Sequence, residues 1–235
     1  MTYPDPAALK RLAALKALDY VSDGMKLGLG TGTTAEAFLD VLAPRVKAGL
    51  KIIGVATSER TDARARALGI PMSDLDTQAP LDLTIDGADE ADHDLALIKG
   101  GGGAHLREKM VATSSRKMVV IADGSKLVER LGRFPLPVEV TTFSHVTTAA
   151  RVAIAAHELG YRNVPMTLRL RDGKPFITDG GNYIYDCAFG AIMDAEDLAE
   201  AIRAIPGVVE HGLFVGIASA LIIARPEGLE VIERK

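Results

Sequence analysis

The chain has 235 residues, 48% of them hydrophobic, enough to bury a sizeable core in one large domain or in a main domain carrying a smaller one. Its formal charge is −4 at pH 7, from 27 basic and 31 acidic residues, and no basic run is long enough for a nucleic-acid footprint. Prolines and charge between Met1 and Lys10 argue against a signal peptide, no run of about 18 apolar residues marks a membrane span, and the single Cys187 excludes an intrachain disulfide, so a cytoplasmic location is expected.

Asp5-Pro6 opens a first helix as N-cap and first-turn proline, with Leu9, Leu12, Ala13 and Leu15 as its apolar face. Residues 26–29 read as a strand that ends in a glycine turn, and 34–46 as the helix after it. Further strands at 51–55, 81–85 and 117–121, with helices at 59–68 and 105–113, give the alternation of an α/β fold with a parallel sheet. The character changes after Arg133, where Phe134-Pro135-Leu136-Pro137 forms a linker into a strand, followed by a helix at 145–159. Strand-like runs at 166–170, 175–178 and 182–187 and a helix at 195–205 suggest a small α+β unit, inserted before the chain returns through 213–223 to the main sheet. The expected division is a main domain of residues 1–131 plus 206–235 and an inserted domain of residues 132–205.

In open α/β sheets ligands bind where the strands end, and the unusual segments of this chain fall there. Gly28-Leu29-Gly30-Thr31-Gly32-Thr33-Thr34 leads from a strand into a helix, where amides and hydroxyls could hold a phosphate; an ordinary tight turn with a threonine cap is the alternative. Thr33 occupies the position where the dinucleotide pattern needs its last glycine, and no Gly-Lys-Ser/Thr follows, which disfavours NAD and ATP. Ser58, in Thr57-Ser58-Glu59-Arg60-Thr61, is explained first as a helix N-cap.

Asp86-Gly87-Ala88-Asp89-Glu90 crowds three carboxylates into one turn, and these would suit sugar hydroxyls. A solvated acidic turn or a divalent-metal site is the alternative, the latter with only His93 as a nearby imidazole. Lys99-Gly100-Gly101-Gly102-Gly103-Ala104-His105-Leu106-Arg107-Glu108-Lys109 is the most specific segment, because four consecutive glycines are entropically costly without a close backbone approach to a ligand. Glu108 falls one turn into the following helix, placed to act as a base or, in the blander reading, to pair with Arg107 or Lys109 at the surface. Lys126, in Asp123-Gly124-Ser125-Lys126, reaches either a ligand or solvent. His145, His157 and His211 show no ligand spacing.

With these motifs in this order the sequence resembles type A ribose-5-phosphate isomerases over nearly its whole length. The resemblance rests on Gly28 to Thr34, Asp86 to Asp89, Lys99 to Lys109, Ala122 to Lys126 with Phe134 to Val140, and Pro206 to Glu210 leading into Gly212-Leu213-Phe214. It implies a Rossmann-like parallel-sheet main domain with an inserted ferredoxin-like domain involved in oligomerisation. It also implies no metal or organic cofactor, a homodimer or homotetramer, and a small pentose phosphate as substrate. The implied reaction is the reversible conversion of D-ribose 5-phosphate to D-ribulose 5-phosphate in the non-oxidative pentose phosphate pathway.

Carried over by motif, Thr31, Gly32, Thr33 and Thr34 would bind the phosphate end with Lys10, and Lys126 would contact substrate. Asp86, Gly87, Ala88, Asp89, Lys99, Gly100, Gly101 and Gly102 would line the sugar. Glu108 would be the base, Lys99 and loop amides would hold the oxyanion, and Asp86 would assist ring opening. Two departures are visible: His105 replaces an apolar residue and could alter Glu108 from the same helix face, and Thr33 replaces a serine but keeps the hydroxyl. The rival readings are an amino-sugar phosphate deaminase or CoA transferase on a related fold, and a sugar-phosphate sensor, for whose DNA-reading module the segment before Lys26 has room for only one helix.

Overall fold

The computed structural model describes residues 5–234; Met1 to Pro4, part of the N-terminal reading, lie outside them. In chain order, α1 (Pro6–Ala17) is followed by β1 (Met25–Leu29), α2 (Thr33–Lys47), β2 (Ile52–Ala56), α3 (Glu59–Ala67), β3 (Met72–Ser73), the one-turn α4 (Leu75–Gln78) and β4 (Leu83–Asp86). Two short strands, β5 (Glu90–Ala91) and β6 (Leu97–Ile98), lead to α5 (His105–Thr113) and β7 (Met118–Asp123). Next come β8 (Leu136–Val140), α6 (His145–Glu158), β9 (Met166–Leu168), β10 (Leu170–Arg171), β11 (Lys174–Pro175), β12 (Tyr183–Cys187), α7 (Ala195–Arg203) and β13 (Val208–His211). The chain closes with β14 (Leu213–Phe214), β15 (Ala220–Arg225) and β16 (Gly228–Glu233).

The main sheet has the order β16-β15-β7-β4-β1-β2-β3, parallel throughout except for the antiparallel edge strand β16. Its central strands are apolar on both faces, as a helix-covered parallel sheet requires. Along β7, Val119 and Ile121 join the cluster under α1 and α2, while Met118, Val120 and Ala122 join the cluster containing Leu97, Phe214 and Leu221 on the other side. Asp5 caps α1 by accepting from the Ala7 N–H at 3.1 Å, with Pro6 in the first turn, as expected from the sequence. The buried face of α1 differs from expectation: Leu9, Ala13, Ala14 and Ala17 are buried, whereas Leu12 and Leu15 remain exposed. The alanines let the helix lie close to the sheet and to α2, and the two larger leucines fall on its flank.

The segment β8-α6-β9-β12-α7-β13 forms a second, antiparallel sheet in the order β13-β8-β12-β9, the ferredoxin-like arrangement. Leu136, Val138, Val140, Tyr185 and Cys187 of this sheet pack against Ala149 and Val152 of α6 and Leu198 and Ile202 of α7. The expected division before residue 206 falls ahead of β13, whose ladder to β8 keeps Val208–His211 with the smaller sheet. Short strands were less visible in the sequence. Residues 213–223 split into β14, which joins β6 and β5 in a three-stranded sheet between the two units, and β15 of the main sheet. The run at 166–170 breaks between β9 and β10, and the run at 175–178 contributes only Pro175 to a two-stranded ladder. Pro135 precedes β8, but Leu136 and Pro137, expected in the linker, belong to the strand.

Candidate active site

At the carboxyl ends of β1, β4 and β7, a cleft of about 120 Å³ is lined by Lys10, Thr31, Gly32, Thr33, Thr34, Gly87, Ala88, Asp89, Lys99, Gly100, Gly102, Glu108 and Lys126. The cleft gathers thirteen of the fifteen residues singled out in the sequence; Asp86 lies beneath it, fully buried, and Gly101 sits outside, exposed.

The first wall is the turn after β1. Gly30 packs so closely on Asp86 that a Cβ there would come within 2.0 Å of the carboxylate, so only glycine fits. Gly32, at φ 96°, starts α2 with no side-chain cap, which leaves the first-turn N–H groups of Thr33 and Thr34 for an anion. Lys10 reaches in from α1 and donates to Thr33 Oγ1 at 2.9 Å. Thr31 is turned the other way: its Oγ1 lies 2.7 Å from Thr57 Oγ1 and donates to Ser58 Oγ at 2.9 Å. Ser58 caps α3 through the Thr61 N–H at 3.1 Å, as the sequence suggested, and also braces this turn.

The acidic turn after β4 spreads its three carboxylates onto three different tasks. Asp86 Oδ1 accepts from the Thr31 and Gly87 N–H groups at 3.1 and 2.8 Å. Asp89 lines the cleft and accepts from the Gly101 N–H at 2.7 Å. Glu90 points away and accepts from the Gly132 and Phe134 N–H groups, both at 2.7 Å, which ties down the linker into β8. Among the described residues no group of three or more His, Cys, Asp or Glu side chains could hold a metal ion. Asp86, expected to line the sugar, is fully buried, and the turn of residues 87–89 forms the cleft surface above it.

Lys99 follows β6 and is 2% exposed. Its ammonium donates to the Gly87 carbonyl at 2.6 Å, lies 3.0 Å from Asp86 Oδ2 and 3.4 Å from Glu108 Oε1, and sits 5.6 Å from the centre of the Phe214 ring. Burial alone would lower its pKa, but Asp86 and Glu108 outweigh that and hold the ammonium above its ordinary value. Burial raises Asp86, against the pull of Lys99 and of the two amides. Glu108 is pushed up to about 8 by burial, aided by Asp86 and Asp89 and opposed by Lys99. One buried ammonium thus faces two buried carboxylates. The compensating proton belongs on Glu108, whose carboxyl group accepts from no backbone N–H, rather than on Asp86, whose Oδ1 accepts from two and whose Oδ2 lies nearer the ammonium, at 3.0 against 3.4 Å.

Glu108 does not pair with its helix neighbours. Lys109 turns to Glu210 Oε1 at 2.6 Å and to the His211 carbonyl at 2.7 Å, and Arg107 turns to Asp179. His105 also departs from expectation. It is fully buried against Gly100, with Nε2 3.7 Å from Glu139 Oε2, and burial together with Lys109 and Arg169 pushes its pKa down to about 3. A neutral imidazole on that side leaves the charge of Glu108 to Lys99, Asp86 and Asp89.

With burial pushing Glu108 up to about 8, activity that needs the carboxylate is expected to follow its ionisation. kcat/KM is expected to fall about tenfold per pH unit on the acid side of that value. A pH profile of initial rates checks this; a flat profile between pH 6 and 9 would remove Glu108 as the titrating base.

An open parallel sheet whose strand ends carry an uncapped helix start, a lysine-rich wall and a buried carboxylate–ammonium cluster defines an α/β enzyme of acid–base chemistry. The sequence matches the family described as ribose 5-phosphate isomerase A (phosphoriboisomerase A) over residues 53–228. It is 56% identical over 226 residues to the ribose-5-phosphate isomerase A of Brucella suis biovar 1 (strain 1330), covering 96% of this chain and 97% of that one. A ribose 5-phosphate isomerase structure from Plasmodium falciparum matches with a TM-score of 0.92 at 38% identity, over 97% of this chain and 99% of that chain. A D-ribose-5-phosphate isomerase in complex with phospho-erythronic acid matches with a TM-score of 0.90 at 36% identity, over 98% of this chain and all of that one. The chain belongs to the ribose 5-phosphate isomerase A family.

Sequence reasoning missed Arg169, which reaches the glycine loop from the smaller sheet's unit, Asp186, which holds Arg169, and the role of Phe214 under two lysines. Arg169 and Asp186 fell inside the strand-like runs at 166–170 and 182–187, and nothing local connects them to a loop about seventy residues earlier.

Proposed function

We propose that the cleft interconverts D-ribose 5-phosphate and D-ribulose 5-phosphate through an enediolate, with Glu108 carrying the proton between C2 and C1. The observation that carries this reading is the buried Glu108 beside the Lys99 ammonium, in a cleft that also holds the start of α2. The Glu108 carboxylate removes the C2 proton of the open-chain aldose, and the carbonyl oxygen at C1 becomes an oxyanion. Lys99 and amides of the glycine loop stabilise that charge; the same carboxyl group then returns the proton to C1, while the C2 hydroxyl proton passes to the C1 oxygen, leaving a ketone at C2 and a hydroxyl at C1.

Lys10, Lys126 and the first turn of α2 hold the phosphate, and Asp89 orients hydroxyls. Asp86 acts through Lys99 and the Thr31 turn rather than on the ring. Phospho-erythronic acid, the ligand of a structural relative, supports this assignment: it joins a phosphate to a planar carboxylate with the charge and shape of an enediolate. A homo-oligomer formed through the smaller sheet's unit is supported by the exposed Phe143, Val146 and Ile154 beside and along α6.

The test is conversion of ribose 5-phosphate to ribulose 5-phosphate in buffer containing EDTA. Turnover is expected, and unphosphorylated ribose should lose about a hundredfold or more in kcat, since phosphate binding supplies positioning energy. No turnover, with ammonia release from an amino-sugar phosphate instead, would replace the isomerase by a deaminase.

A further inference from the structure

We infer that Arg169, clamped by Asp186 in the smaller sheet, is a positioning residue for the glycine loop, fixing the Gly100–Gly101 peptide so that the neighbouring amides are preset for the oxyanion. The inference rests on the isomerase reading above. Arg169 lies between β9 and β10, with its own N–H on the Ile184 carbonyl and its carbonyl accepting from the Phe176 N–H, both at 2.8 Å. Its Nε donates to Asp186 Oδ2 at 2.9 Å and its Nη2 to Asp186 Oδ1, a two-pronged pair that leaves Nη1 aimed at the loop. Nη1 donates to the Gly100 carbonyl at 2.7 Å and to the Gly101 carbonyl at 3.3 Å.

The same peptide is held from its other side. The Gly101 N–H donates to Asp89 Oδ2 at 2.7 Å, so one peptide unit has its oxygen on a cation and its hydrogen on a carboxylate. Phe176, from the smaller unit, closes over Gly103, where a Cβ would come within 2.4 Å of the ring, and Arg171 lies 4.3 Å from the ring centre. The Gly100 and Gly102 N–H groups have no hydrogen-bond partner among the described residues, and both residues line the cleft. A run of glycines has no side chains with which to order itself, so its order comes from groups outside it. Oxyanion donors contribute only when they are already in place as charge develops. A guanidinium suits the task because its planar fork spans a carboxylate and a carbonyl at once, which an ammonium on a flexible stem does not.

The experiment compares Arg169→Met, Arg169→Lys and Asp186→Asn in the full chain. Arg169→Met is expected to lower kcat by about a hundredfold, with affinity for inorganic phosphate within about threefold of the wild type, because the phosphate wall lies on α1 and α2. Arg169→Lys should fail to restore kcat, and Asp186→Asn should fall between the wild type and Arg169→Met. Circular dichroism and thermal melting verify folding. Hydrogen exchange at the Gly101 and Gly103 amides, which donate to Asp89 and to the Gly100 carbonyl, should accelerate in Arg169→Met. Wild-type kcat in a folded Arg169→Met, or unchanged exchange at these amides, would overturn the inference. Absence of turnover in the wild type would remove the isomerase reading, and the exchange measurement would then decide the clamp by itself.

Discussion

Glu108→Gln is expected to lower kcat by about a thousandfold or more while KM stays within a few-fold, the pattern of a group needed in the transition state and little used in binding. Glutamine keeps the shape of the protonated side chain and its place in the cleft wall, 4% exposed, but it cannot accept the C2 proton. Stability separates this from a folding defect, and the sign is definite. Burial raises Glu108 from 4.5 to about 8 in the folded chain, so the free enzyme loses the corresponding stability as pH rises through about 8. Glutamine has no proton to lose. The variant should therefore melt at or above the wild-type temperature at pH 9, read by calorimetry, while being nearly inactive in the isomerase assay. An active Glu108→Gln would move the base elsewhere; a variant that melts far below the wild type would show that the carboxylate is a structural partner of Lys99.

Lys99→Met tests the other half of the cluster. Removing the ammonium deletes one oxyanion donor, worth about 3 to 4 kcal/mol or two to three decades in kcat. It also strands Asp86, fully buried and 3.0 Å from the lost charge. Breaking a buried ion pair on one side costs about 3 to 5 kcal/mol, unless the carboxylate takes a proton. Without Lys99 both carboxylates move further up from their ordinary values. The variant should accordingly be more stable at pH 5 than at pH 8, as seen by urea unfolding at the two values. Methionine keeps most of the stem against Phe214, which limits the cavity left behind. Wild-type kcat in this variant would assign the oxyanion to backbone amides alone.

Local order was readable because it is encoded locally. The helix at 105–113 has the bounds expected from its sequence, and the caps at Asp5 and Ser58 follow from residue type and spacing. The turn after β1, the acidic turn and the glycine run were visible because each breaks the composition of a strand end, where open parallel sheets bind ligands. Strands of two residues, such as β5, β6 and β14, carry too few side chains to show a period, and β16 is an exposed edge whose ladder depends on β15.

What a side chain does inside the site was decided by its neighbours. Asp86, Asp89 and Glu90 look alike in a string of letters, yet one supports Lys99, one holds the glycine loop and one pins a linker 42 residues away in sequence. Lys109 answers to Glu210 across 101 residues, and Arg169 to Gly100 across 69. By itself the sequence determined the alternation of elements, the capped helix starts and the family, each carried by short spacings or ordered motifs. Only the tertiary structure decided which carboxylates are buried beside Lys99 and which residues hold the glycine loop. Ionisation and loop order depend on burial and on partners brought within hydrogen-bond distance by packing, and spacing along the chain does not specify them.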